Sequence, residues 1–384
     1  MHILVLPSWY ANSLQPYSGT YFRSHAFCLM ELGHKVGIAN YESRILRSLS
    51  IRGLKENRFQ TVNQIEFGLP TVRIKGWNPM SRTTVGAKIL GRMYKRAADA
   101  YIRLHGRPDV VHVQSAMWSG LAAVDLVKQA GIPFVLTEHS NFVPSVSESA
   151  SRNELYRRVT DRAHSVTAVS TALANELREK TGLREVGLVP NCIDDLFWRS
   201  GSESPGSEPH YLTVAHLIPL KRMDVLLDAF VRVKTDQPNA TLTILGVGVE
   251  RENIRRQIEL LGMSNSVTML TETTQEDLRT EYARTGCYVC SSEVETFGVA
   301  PLEALAAGTP VVSTRCGGPE DFVSPPSGCL IPVNDPEAMA AAMIAQSSRD
   351  RKVQTEHAFE VASRYSHRTV GEKLLGYLAR AAEG

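Results

Sequence analysis

What the 384-residue chain lacks bounds it before anything it contains. No stretch approaches the ~18 uncharged apolar residues of a membrane-spanning helix. Six cysteines, at 28, 192, 287, 290, 316 and 329, are too sparse for a disulfide scaffold in this length. The opening MHILVLPSWYAN has neither the basic region nor the small-residue cleavage site of a signal peptide, so it reads as a first β-strand. A reducing, cytoplasmic setting is the expectation. There is no internal repeat and no long low-complexity tract. With 43% hydrophobic and 21% charged residues, the composition excludes collagen, coiled coil and intrinsic disorder. At roughly 150 residues per domain, the length suggests about two domains.

The formal net charge of +2 hides an uneven distribution. Residues 44–107 hold 14 basic against three acidic residues, a local +11 that leaves −9 for the remainder. Such an excess attracts phosphates or an anionic membrane surface; ordinary solvated basic helix faces are the plainer reading. VGAKILGRMYKRAADAYIRLHG within it has the pattern of a basic amphipathic helix that could lie against lipid. The whole chain is nearly neutral and lacks a nucleic-acid motif, so nucleic acid is not expected as a partner.

The clearest punctuation is RSGSESPGSEPH, a linker over 199–210. It separates a first domain, 1–198, from a second, 211–365, and the tail 366–384 reads as an amphipathic helix packing back toward the first domain. Ser366 is its candidate N-cap. In both halves short apolar runs alternate with helical patterns, as in parallel β-α-β units. The strand candidates are HILVLP, HKVGIAN, DVVHVQ, PFVLTEH, SVTAVS and GLVPN, then HYLTVAHL, ATLTILG, SVTMLT, CYVCSS and PVVST. The fold class is therefore α/β, two doubly wound domains expected to leave a cleft at their strand C-termini, where such folds bind ligands.

The stretch Cys290–Gly317, CSSEVETFGVAPLEALAAGTPVVSTRCG, is the most informative. A strand ends near Ser291, a loop carries Glu293, Glu295, Phe297 and Gly298, and Pro301 begins a short helix closed by Gly308. Glu303 is then expected in the first helical turn. Two carboxylates seven residues apart, flanking a helix N-terminus, can hold sugar and ribose hydroxyls, and the free N–H groups between them suit a diphosphate. An acidic loop with a dipole-stabilising Glu is the alternative for two bare glutamates.

The whole string resembles the donor-site signature of the family 4 retaining glycosyltransferases, E-x-F-G-x4-E-A-x-A-x-G-x-P-V-V, at every fixed position. The resemblance extends through LPSWY, SGTYFR, ELGHKV, TEHSNF, TAVS, VPNCID, HLIPLKRMDVLLDAF, ILGVG and GGPEDFV. It implies the GT-B fold, with two Rossmann-like domains facing each other. The N-terminal one would bind the acceptor and the C-terminal one a nucleoside diphosphate sugar. On this resemblance Glu295 would bind hydroxyls of the transferred sugar, the backbone at Phe297, Gly298 and Val299 would cradle sugar and diphosphate, and Glu303 would bind the nucleotide ribose. Lys221 would neutralise the leaving diphosphate. The family usually has an Arg five residues earlier, where this chain has His216; Arg222 is a further candidate for that charge. His139 matches a family His that faces the donor sugar, with Glu138 beside it. Gly19 and Thr20 resemble the family's glycine loop, although a tight turn alone could explain the glycine. Glu320 in the Gly317-Gly318-Pro319-Glu320 turn could touch the donor side. Asn191-Cys192 stands where Asn-Gly is usual.

Gly246-Val-Gly248 after a strand is a weak dinucleotide signal. Cys287 and Cys290 are three apart in a strand and point to opposite faces, so zinc or redox use is not expected. The chain has no D-x-D, and hence lacks the usual ligands of metal-dependent sugar transfer; no metal or cofactor is expected beyond the nucleotide-sugar co-substrate. The implied reaction is a front-face, retaining transfer from the nucleoside diphosphate sugar to a hydroxyl of a sugar, lipid-linked or other acceptor. Its setting would be bacterial polysaccharide or glycolipid assembly, with peripheral contact to the inner face of a membrane. A UDP-sugar epimerase of the same fold, a non-catalytic sugar-binding protein and, more distantly, a glycosidase are the competing readings.

Overall fold

A computed structural model describes residues 1–12, 19–44, 51–78, 83–140, 150–194, 197, 208–271 and 273–384. The expected linker at 199–210 lies, up to 207, outside the described residues, as do parts of the SGTYFR and TEHSNF motifs. The chain forms two α/β units, Met1–Cys192 with His367–Gly384, and Ile193–Ser366.

In the first unit the apolar runs become strands β1 (His2–Pro7), β2 (Lys35–Arg44), β3 (Gln60–Glu66), β4 (Leu69–Trp77), β5 (Val110–Gln114), β6 (Phe134–Glu138), β7 (Ser165–Ala168) and β8 (Gly187–Leu188). They lie side by side in the order β3-β4-β2-β1-β5-β6-β7-β8, all parallel to their neighbours except β3, which runs antiparallel to β4. Helices α1 (Thr20–Glu31), α2 (Ile51–Glu56), α3 (Thr84–His105), α4 (Ser119–Ala130), α5 (Ala150–Thr160) and α6 (Thr171–Thr181) alternate with them. Strands covered on both faces bury nearly every residue; β5 and β6 are buried throughout. The β3–β4 hairpin turns on Phe67 and Gly68, both at positive φ (52° and 82°), the backbone of a type I′ turn.

Helix α3 begins at Thr83, whose side chain accepts a hydrogen bond from the Gly86 N–H, and ends at Gly106. Its apolar residues Ala87, Leu90, Tyr94, Ala98 and Tyr101 are buried, and it packs on β2, β4 and α4. What it leaves outside is the exposed basic set Lys88, Arg92, Arg96 and Arg103. Part of the local positive charge is compensated internally. Arg73 is buried, with two 2.5 Å hydrogen bonds to Glu66, and Arg44 donates to Glu42 at 2.7 Å.

The second unit contains β9 (His210–Val214), β10 (Thr241–Leu245), β11 (Val267–Leu270), β12 (Cys287–Cys290), β13 (Val311–Thr314) and β14 (Gly328–Ile331). Their order is β11-β10-β9-β12-β13-β14, all parallel, so the winding reverses between β9 and β12. Helices α7 (Met223–Asp236), α8 (Arg251–Leu260), α9 (Gln275–Arg284), α10 (Val299–Ala306), α11 (Pro336–Ser347) and α12 (Arg351–Ser363) flank the sheet. Leu226, Leu227, Phe230 and Val233 of α7 share one buried cluster with Leu242, Ile244, Val289, Met339 and Met343. The chain then returns to the first unit through α13 (His367–Glu383), whose Val370, Leu374, Leu378 and Ala381 join the cluster formed by Ile3, Val5, Leu29 and Val135. Among the described residues, no helix is long and apolar enough to cross a membrane.

Gly246 and Gly248 serve the fold through contact with backbone. A Cβ on Gly246 would lie 1.9 Å from the Ala215 carbonyl oxygen, and one on Gly248 would lie 2.1 Å from that of Leu217. The loop needs this proximity because Leu217 N–H donates to the Val247 carbonyl at 2.8 Å. Gly33, at φ 83°, has open space around it. Gly248→Ala is therefore expected to cost about 3 kcal/mol in urea unfolding and Gly33→Ala about 1 kcal/mol. Equal losses would contradict the packing argument.

Candidate functional site

Reversal of the winding sends the loops after β9 and β12 apart, the place where open α/β sheets receive ligands. Lys221 closes a 3-10 turn (Pro219–Lys221) on the first loop, and Glu295 stands on the second. Their side chains meet, Lys221 Nζ to Glu295 Oε1, at 2.5 Å, and each is less than one-fifth exposed. Ser292 Oγ donates to the same carboxylate oxygen at 2.7 Å. The two loops are also tied through backbone. Ser291 Oγ donates to the Lys221 carbonyl at 2.7 Å, and the Glu293 N–H donates to the Leu220 carbonyl at 2.8 Å. Burial works to lower the Lys221 pKa, but the Glu295 carboxylate outweighs it and holds the ammonium above its ordinary value.

Behind Glu295 the chain is clamped on its other side. Its N–H donates to the Cys316 carbonyl at 2.7 Å, and its carbonyl accepts from the Gly318 N–H at 2.8 Å. Gly318 presses so closely that a Cβ there would lie 2.2 Å from the Phe297 Cα. Phe297 is buried against Phe322 and Tyr365, ring centroids 5.6 and 5.8 Å away. Its side chain anchors the loop, which leaves only its backbone for a ligand. Gly298, at φ 91°, turns the chain into α10, which starts at Val299, two residues before the expected Pro301. The N–H groups of Val299 and Ala300 stand in the first turn, where a helix has no internal partners for them.

Glu303 consequently sits in the second turn of α10 rather than the first. Tyr282 Oη donates to its Oε2 at 3.0 Å. Burial pushes the Glu303 carboxyl up to about 7, the charge of Asp194 acts in the same direction, and the Tyr282 hydrogen bond opposes both. The structure turns Arg222 toward Asp224, at 2.8 Å, and toward Asn334, while His216 is exposed. A cavity of about 390 Å³ opens beside the start of α7, lined among others by Leu220, Arg222, Met223, Asp224, Glu250 and Glu293. Glu320 accepts from the Gly317 N–H at 3.1 Å and faces Arg315. Cys287 and Cys290 are both buried in β12, and Cys290 neighbours Ser292 and Cys316.

In the first unit His139 follows β6 and is 5% exposed. Tyr21 stacks on it at 5.1 Å, Phe22 meets it edge-on at 4.7 Å, and His25 lies 5.5 Å away. Both ring nitrogens are buried without a well-formed hydrogen bond among the described residues. Burial pushes the His139 pKa well below its ordinary value, His25 and His112 add to the effect, and the Asn191 side chain opposes it. The ring is therefore neutral at neutral pH. Gly19, at φ 67°, precedes α1, and a Cβ there would lie 2.9 Å from both the Phe22 ring and the Trp9 carbonyl. The aromatic Phe22 thus joins the Gly19 turn to His139. Glu138 is occupied in holding the loop: it accepts from the N–H groups of Ala116 and His139, each at 3.0 Å.

Lys221, Glu295, Phe297, Gly298, Val299 and Glu303 thus gather in the second unit, while His139 and Gly19 sit together in the first. Ser292, Tyr282 and Asp194 are participants that sequence reasoning missed. Ser292 is adjacent to the motif and so within reach of it, whereas Tyr282 and Asp194 carry no local signal.

These two doubly wound units, with a cation, a carboxylate and a helix N-terminus at the reversal of the second, have the GT-B architecture. Residues 18–195 match the family described as Glycosyltransferase Family 4, and residues 194–360 match Glycosyl transferases group 1. The first match falls on the first unit and the second on the second unit. It is 31% identical over 265 residues to a D-inositol 3-phosphate glycosyltransferase of Paenarthrobacter aurescens (strain TC1), covering 63% of this chain and 64% of that relative. In fold it is similar to a sucrose-phosphate synthase from Thermosynechococcus elongatus (TM-score 0.77, 20% identity, 99% and 98% of the two chains). It is also similar to HepE of Anabaena, solved in complex with UDP (TM-score 0.72, 16% identity, 99% and 100%).

The Glu303 carboxyl binds its proton more tightly folded, near pH 7, than at the ordinary value of 4.5 expected when unfolded. Its contribution to stability is thus complete at acid pH and is lost as pH rises through 7. Glu303→Gln, which has no such loss, should gain about 2 kcal/mol relative to the parent between pH 5 and pH 8 in urea unfolding. A difference identical at both pH values contradicts this.

Proposed function

We propose that this chain is a metal-independent, retaining glycosyltransferase that moves a sugar from a nucleoside diphosphate sugar to a hydroxyl acceptor. The observation that carries the reading is the Lys221–Glu295 pair held at the winding reversal, with Glu295 on the loop that leads into α10. When a donor enters, the pair opens. Lys221 and the N–H groups of Val299 and Ala300 meet the diphosphate, and Glu295 accepts hydrogen bonds from sugar hydroxyls. Glu303 in its carboxylate form accepts from the ribose hydroxyls. In the first unit, the neutral His139 has one N–H and one lone pair to offer a substrate hydroxyl. The acceptor oxygen attacks the anomeric carbon on the face from which the diphosphate leaves. The C–O bond to phosphate breaks as the new glycosidic bond forms, and the departing phosphate oxygen takes the acceptor proton. Retention follows without a covalent enzyme intermediate.

The first unit is the place for the acceptor in this reading. Its exposed Lys88, Arg92, Arg96 and Arg103 suit an acceptor or surface that carries phosphate, such as a lipid-linked sugar at the inner face of a membrane, in polysaccharide or glycolipid assembly. Since the apolar stripe of α3 is spent in the core, attachment would be electrostatic, without insertion.

Thermal unfolding against a panel of nucleoside diphosphates, beginning with UDP, tests the donor site. A ligand at 100 times its Kd should add about 2.7 kcal/mol, and Glu303→Ala should abolish the shift. Silence across the panel would overturn the nucleotide-sugar reading. For the basic face, flotation with anionic vesicles should carry the protein up at low salt. High salt, or charge reversal at Lys88, Arg92, Arg96 and Arg103, should release it. Equal partitioning into neutral and anionic vesicles would sink the membrane reading.

A further inference from the structure

The chain leaves the first unit after Cys192 and re-enters it at His367, and both residues converge on Cys28 in α1. The Cys28 and Cys192 sulfurs are 3.2 Å apart. With one ring nitrogen of His367, the three donor atoms all lie within 4.8 Å of one another. All three residues are buried, at 1%, 5% and 6% exposure. Gly371, one turn beyond His367, makes the approach possible. A Cβ there would lie 3.0 Å from the Cys28 Cβ, so the bare backbone of α13 can come down on α1.

His367 supplies the second, independent observation. Its Nδ1 bonds the Glu31 carboxylate at 3.1 Å, while its Nε2 is buried without a hydrogen-bond partner among the described residues. A carboxylate on one ring nitrogen fixes the proton there and leaves the other nitrogen's lone pair for a metal, the usual arrangement around a ligating histidine. An orphaned imidazole nitrogen in an apolar surrounding is otherwise costly.

We propose that Cys28, Cys192 and His367 form a zinc site, with a water completing the tetrahedron. Two thiolates, one neutral imidazole and Zn²⁺ sum to zero charge, the form a buried pocket tolerates; Cu⁺ with the same ligands would leave a net negative charge. Geometry favours the metal over a disulfide. Tetrahedral zinc with Zn–S bonds of about 2.3 Å puts its sulfurs about 3.8 Å apart, so the thiols need to open by about 0.6 Å. A disulfide would need them to close by about 1.2 Å. Binding releases the two thiol protons, and the bound ion ties α1 to the residues at which the chain leaves and re-enters this unit. The site is independent of the sugar-transfer reading, because none of its residues is among those assigned to donor or acceptor.

The test is metal analysis of the chain purified under reducing conditions without chelator, then dialysed against micromolar zinc. About one zinc per chain is expected, with loss in Cys28→Ser/Cys192→Ser and in His367→Ala. Chelator should lower the Tm of the parent by about 5 °C, and zinc should restore it. Should the variants fail to fold, cobalt substitution of the parent decides the matter. Thiolate-to-cobalt charge-transfer absorption with tetrahedral d–d bands supports the site, and their absence overturns it. A zinc content equal in parent and folded variant also overturns it. So does recovery of Cys28 and Cys192 joined as a disulfide from the reduced, zinc-dialysed protein.

Discussion

Two backbone hydrogen bonds at Glu295, to Cys316 and from Gly318, fix the loop on which the candidate donor site depends. They bind the loop after β12 to the loop after β13, so a segment free of regular structure is held like a short strand, and Glu295 pairs with Gly317 as an isolated parallel bridge. Everything downstream inherits that constraint. Phe297 is driven into the core, Gly298 adopts a positive φ, and α10 starts at the next residue, Val299. Gly318 is the residue that permits the clamp, because its missing Cβ is the space that the Phe297 backbone fills. A binding group held this way costs little further ordering when a ligand arrives.

Much of this was legible in the sequence because the relevant signals are local. Apolar runs of four to six residues between helical patterns give the parallel strands, and the E-T-F-G-V-A-P-L-E string places Glu295 and Glu303 on a loop and the helix that follows. Signals that depend on distant pairing were not legible. The β3–β4 hairpin lay hidden in the basic segment, since β3 is mostly exposed and has no apolar run to mark it. β14 is short and appears only through its pairing with β13. Gly246 and Gly248 resemble a nucleotide loop in one dimension, and only the folded chain shows that the carbonyls of Ala215 and Leu217 claim the space. The basic helix looked suited to lipid, but an amphipathic pattern does not say whether a sheet or a membrane covers its apolar side. Cys28, Cys192 and His367 were beyond reach for the same reason: metal motifs are recognised by short spacing, and these three come together across most of the chain.

The charged groups around Lys221 in the second unit satisfy one another. Lys221 and Glu295 neutralise each other, Ser292 satisfies the same carboxylate oxygen, and burial favours the uncharged form of Glu303. A half-buried cation or anion left alone would cost several times the net value of an exposed ion pair. In the proposed reading a ligand bearing both a diphosphate and hydroxyls would replace each partner as it is displaced: phosphate for Glu295 at the ammonium, hydroxyls for Lys221 at the carboxylate. A ligand with only one of the two would strand the other member of the pair. Discrimination then arises from the cost of leaving a half-buried charge unpaired, more than from the strength of any single new contact. In the proposed reading the ionisation of Glu303 would belong to the same exchange, since hydroxyl donors stabilise the carboxylate that burial disfavours.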